Sequence, residues 1–117
     1  MDLPELVGGH LGGDLRRLEQ LVTEPAGWNP EIPAEYDFLQ GNVLLKMGGY
    51  TAAAAFYHEA LHKLPAYAEA ANNLASIYHA AGMLEIARDV VTKAEAAGAT
   101  LNPELKKAIE EGLAKGK

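Results

Sequence analysis

From about residue 34 onward, apolar positions recur every three to four residues, the spacing of amphipathic helices, and glycine or proline interrupts the pattern at regular points. A first segment, 34–47, ends at Gly48-Gly49. A second, 51–63, sets Ala53, Phe56, Tyr57, Ala60, Leu61 and Leu64 on one stripe and stops before Pro65. A third, 68–81, breaks at Gly82. A fourth, 84–97, carries Leu84, Ala87, Val90, Val91 and Ala94 and runs to Gly98. Glycine stops helices at positions where the chain must turn left-handed, so the pattern predicts four helices. Asn102-Pro103-Glu104 predicts the N-cap and first turn of a fifth, 103–114. Its apolar face is Leu105, Ala108, Ile109 and Leu113. Lys106, Lys107, Glu110 and Glu111 occupy the other face, with opposite charges four apart. Alanine is abundant and β-branched residues are few, which predicts an all-α chain.

The segments repeat. A shift of 34 residues aligns 34–67 with 68–101 and pairs Ala34 with Ala68, Glu35 with Glu69, Gly48 with Gly82, Ala53 with Ala87 and Ala60 with Ala94. Gly41 then faces Ala75 and Val43 faces Ile77. The small residues Gly41, Ala53 and Ala60, and likewise Ala75, Ala87 and Ala94, fall where the two helices of a unit would cross closely. Before the repeats, Asp14 can cap a helix over 15–23 with Leu15, Leu18, Leu21 and Val22 as its apolar side. Leu3, Leu6, Val7 and Leu11 suggest a shorter one interrupted by glycines. Pro25, Pro30 and Pro33 make a stiff connector around Trp28, which is expected to cover the end of a core. The organisation expected is one domain: 1–33 a degenerate helical pair and proline-rich connector, 34–67 and 68–101 the repeats, 102–117 a capping helix.

These residues resemble the tetratricopeptide repeat family, whose 34-residue unit carries W-x2-L-G-x2-Y, then A-x3-F, then P. The first unit matches at Gly41, Leu44, Ala53, Tyr57 and Pro65 and departs at Asp37 and Gln40; Tyr36 and Phe38 flank the position of the large residue. The second matches at Leu74, Ala75, Tyr78 and Ala87, with Val91 in place of the aromatic and Ala99 in place of the proline. The resemblance covers about 34–101. It implies a short right-handed helical solenoid whose first helices line a concave groove that takes a partner's peptide or helix. By matching position the groove would be lined by Glu35, Phe38, Asn42, Leu45 and Lys46, and by Glu69, Asn72, Asn73, Ser76 and His79. The expected partner-binding set is Phe38, Asn42, Leu45, Lys46, Asn72, Asn73, Ser76 and His79, with Phe38 an exposed anchor beside backbone-binding amides. Asn42 and Asn73 match two asparagines of the clamp by which some members hold a terminal carboxylate. Phe38 stands in place of its first lysine and a third repeat is lacking, so the clamp is not carried over. The family shares a shape rather than a chemistry.

Composition narrows the partners. Ten Lys and Arg against 16 Asp and Glu give a net charge of −6, which disfavours a phosphate backbone as ligand. Residues 1–33 hold six acids against two arginines, a segment that could steer a basic partner. No cysteine is present, which removes thiolate chemistry. No apolar run approaches the length of a membrane span, and no basic segment followed by an apolar core opens the chain, so a cytoplasmic location is expected.

His58-Glu59-Ala60-Leu61-His62 matches H-E-x-x-H, the spacing by which zinc proteases hold two imidazoles on one helical face. Ala60 and Leu61 are packing residues of the same helix, so His58, Glu59 and His62 are expected to point outward, with no third ligand evident. Ser76 and His79 share a face but lack an orienting third group. The Gly8-Gly9-His10-Leu11-Gly12-Gly13 stretch lacks the strand and the Gly-Lys-Ser/Thr ending of a phosphate loop. The expectation is a non-catalytic adaptor or assembly subunit, with no metal and no cofactor, that binds a segment of another protein. A self-associating structural subunit is the alternative, and a zinc hydrolase on His58, Glu59 and His62 a remote one.

Overall fold

The computed structural model describes residues 31–115. Five α-helices make up this part, and no strand occurs among the described residues. They are α1 (Ala34–Lys46), α2 (Tyr50–Lys63), α3 (Ala68–Ala80), α4 (Leu84–Ala96) and α5 (Pro103–Lys115). Each lies within a residue or so of its expected span. Helices α1 and α3 begin 34 residues apart, and so do α2 and α4. The helix expected over 15–23, the shorter one before it, and Trp28 lie outside the described residues.

Local chemistry sets the ends. Gly48, Gly82 and Gly98 take φ of 84°, 80° and 109°, a region that costs an L side chain about 1 kcal/mol or more. The residue after each donates its N–H back across the turn: Gly49 to Leu44 at 2.8 Å, Met83 to Tyr78 at 2.9 Å and Ala99 to Ala94 at 2.9 Å. This satisfies carbonyls that the helix end leaves open. Helix α2 ends differently. Pro65 keeps Leu64 out of the helical region, at φ −139° and ψ 86°. Asn102 caps α5, its Oδ1 accepting the Glu104 N–H at 2.9 Å.

Each helix packs on the next, most extensively α1 on α2 and α3 on α4, and α3 also reaches α5. The core is assembled from Tyr57, Leu74, Ile77, Tyr78 and Ile109 with a lining of alanines. Gly41 lies at a helix crossing. A Cβ built on Gly41 would stand 2.7 Å from Cε1 of Tyr57, so α1 approaches α2 only because residue 41 has no side chain. One repeat later the equivalent residues are Ala75 and Val91, both buried. The smaller partner leaves room for the extra methyl.

Asp37, which departs from the repeat pattern, is buried and forms an ion pair with Lys63 at 2.6 Å, both side chains being less than a tenth exposed. Lys63 also donates to the Ile32 carbonyl at 2.8 Å, which ties the end of α2 to the segment entering α1. Glu59, one turn before Lys63, has its carboxyl pushed up by burial and by the Asp37 charge, with Lys63 acting in the opposite direction.

Candidate functional site

The residues expected to line a groove all lie on α1 and α3. The structure links three of them into one cluster with a residue from α2. Tyr57 of α2 is fully buried and donates its hydroxyl to Oδ1 of Asn42 at 2.5 Å. Asn73 of α3 donates Nδ2 to the same oxygen at 3.0 Å and contacts the Tyr57 hydroxyl at 3.3 Å. Burial raises the Tyr57 pKa, with the Asn73 contact opposing it, so the phenol stays protonated and serves as a donor. The ring of Phe38 lies 5.0 Å from that of Tyr67 and 6.0 Å from that of Tyr57, tilted to both.

This arrangement changes the expected role of Phe38. It is half-buried and packed against the core, as is Leu45, rather than standing free. The physical reason is Tyr67, which precedes α3 and covers one side of the ring. Asn72 is also partly committed, since its Oδ1 accepts the Asn102 backbone N–H at 3.0 Å and joins α3 to the start of α5. Lys46 and Ser76 are exposed, and His79 is half-buried.

What stays open is specific. Asn42 Oδ1 is saturated, but no described residue takes Asn42 Nδ2 or Asn73 Oδ1. Among the described residues, Thr51 Oγ1 is the one buried side-chain polar atom that lacks a partner, so these two atoms are not sealed in the core. The amide pair therefore keeps one donor and one acceptor unused, while a buried phenol holds the bonded atoms in place. Glu35 and Glu69, both exposed, stand in the first turns of α1 and α3. Tyr67 registers them: its phenol pKa is raised first by burial and then by the charges of Glu69 and Glu35. One end of this face is thus acidic.

The H-E-x-x-H residues separate. His62 is exposed, but His58 does not point outward. Its Nε2 lies 2.8 Å from the Tyr78 hydroxyl, and its ring meets the Tyr78 ring edge-on at 5.9 Å. Burial, with the Lys93 charge adding to it, lowers its pKa to about 4. The expectation failed because α2 is covered on two sides, so a residue off the main stripe still meets α3. Among the described residues no group of three His, Cys, Asp or Glu is placed to hold a metal ion.

Tyr57 and Tyr67 were missed as parts of the site. Tyr57 was legible only as a repeat packing residue, and Tyr67 falls in the short link between units. No described helix is long and apolar enough to cross a membrane. No family model, no curated protein and no solved structure matches this chain.

Proposed function

We propose that the chain is a non-catalytic binding module, a short tetratricopeptide-like solenoid that holds an extended segment of another protein along the α1 and α3 face. The observation that carries this reading is the Asn42–Asn73 pair. An extended peptide offers one N–H and one C=O per residue, and Asn73 Oδ1 and Asn42 Nδ2 are a matching acceptor and donor. Because Tyr57 and the shared Asn42 oxygen already fix both amides, binding would cost little side-chain ordering. Ser76 and Lys46 would border the segment, and His79 and Leu45 would flank it. Glu35 and Glu69 favour a basic residue in the segment at that end. Two repeats make a short groove, so affinity near micromolar is expected, about −8 kcal/mol.

The test is selection of peptides from a random library on the full chain, followed by titration. Selected peptides should carry Lys or Arg and should weaken as salt rises. Asn73→Ala, and separately Ser76→Arg, should each reduce affinity by tenfold or more while circular dichroism stays unchanged. Ser76 is exposed, so its replacement obstructs the face without touching the core. Peptides held equally by both variants, or no selected peptide at all, would end this reading.

A further inference from the structure

Helix α1 has an apolar side that none of the described helices covers. Ile32, Tyr36, Leu39, Val43 and Met47 follow one another at spacings of four, three, four and four, which sets them on one line. All are exposed, from 40% at Ile32 to 74% at Met47. The line lies away from α2, which α1 meets through Asp37 and Gly41.

The internal repeat shows what is missing. Shifted by 34, Tyr36 becomes Ala70 and Val43 becomes Ile77, and both of these are buried. Helix α3 buries one side against α4 and the other against α2, the helix that precedes it. Helix α1 buries only Asp37 and Gly41, the equivalents of Ala71 and Ala75. Among the described residues it has no counterpart of α2. The far end of the stack needs none, because α5 turns Glu104, Lys107, Glu110 and Glu111 outward, all exposed.

We infer that the stretch 15–23 of this same chain docks as a helix along the α1 line, with Leu15, Leu18, Leu21 and Val22 against Tyr36, Leu39, Val43 and Met47. Three observations select it over other occupants. The chain reaches Glu31 directly beside the first residue of the line, with 30 residues preceding it. That stretch carries an apolar stripe of helical spacing and occupies the place in the chain that α2 holds before α3. The link 24–31 can span about 27 Å, ample for the roughly 10 Å between packed helix axes. A tether this short keeps the local concentration near millimolar, so docking within the chain outcompetes a second copy at micromolar protein. The proposed contacts run along Tyr36, Leu39, Val43 and Met47 and use neither Asn42 nor Asn73, so this inference does not rest on the peptide-binding reading.

The full chain has no cysteine, so introduced pairs report docking directly. Leu18→Cys with Val43→Cys, and Leu21→Cys with Leu39→Cys, are oxidised at micromolar concentration beside a control of Leu18→Cys with Lys107→Cys. At least one stripe pair should close within the monomer, and the control should stay open. Amide exchange of 15–23 should be slowed at least tenfold in the wild type, and Val43→Asp should abolish that protection while α3 and α4 keep theirs. Val43 is exposed, so this change spares the described core. Disulfide-linked dimers would make a second copy the occupant and overturn the inference. So would closure of the control to the same extent, failure of both stripe pairs, or exchange over 15–23 that Val43→Asp leaves unaltered.

Discussion

Acidification should weaken this protein through His58. In the folded chain the imidazole is packed beside Tyr78, with Lys93 adding an unfavourable charge, and its pKa falls from 6.5 to about 4. An unfolded chain binds the proton from about pH 6.5 downward, and the folded chain resists it until about pH 4. Between these values the unfolded state holds more protons, so stability falls as pH falls. The contribution is fully present above pH 6.5 and is lost on descending to pH 4. A displacement of about 2.5 units corresponds to about 3 kcal/mol, roughly half of it gone by about pH 5.4. Against a typical total of about 5–15 kcal/mol that is a large share. The assay is urea unfolding followed by circular dichroism from pH 7.5 to 4, on wild type and on His58→Gln. Gln keeps an amide in reach of Tyr78 but does not titrate. The wild type should lose about 3 kcal/mol more than the variant over that range. NMR titration of the ring protons should place the His58 midpoint near 4, while Lys93→Gln should move it upward. Parallel curves for the two proteins, or a His58 midpoint near 6.5, would refute the reasoning.

Breaking the buried Asp37–Lys63 pair should cost about 3–5 kcal/mol in Lys63→Met or Asp37→Leu alone, because each leaves one charge buried. The double variant should recover most of that loss in urea titrations, and double-variant stability no better than the worse single would count against the pairing argument. At Gly41, alanine would ordinarily strengthen a helix by about 1 kcal/mol. Here its Cβ meets the buried Tyr57 ring, overpacking costs about 1–3 kcal/mol, and Gly41→Ala should lower the melting temperature; a rise would show that the ring yields freely.

The helices were legible because their causes are local. Gly48, Gly82 and Gly98 sit where a positive φ is required, Pro65 forbids continuation, and Asn102 offers its oxygen to the next turn. The 34-residue period survives in the fold for the same reason, since each unit is written in its own residues. Periodicity also marks which side of a helix is apolar. It does not say what covers that side. Tyr36, Val43 and Met47 have helical spacing, yet none of the described helices covers them, because coverage depends on a neighbouring helix and not on α1.

The polar contacts were decided by packing alone. Asp37 and Lys63 stand 26 residues apart, His58 and Tyr78 stand 20 apart, and Asn42 meets Asn73 across 31. Such pairs exist only once two helices cross at a given register, and no local preference encodes that. His58 looked like half of a metal site because i, i+4 spacing is visible in a sequence. Its contact with Tyr78 of α3 is a property of two helices together. The amides of Asn42 and Asn73 were candidates by position, but only the buried Tyr57 hydroxyl, supplied by a third helix, determined which of their atoms remain free to bind.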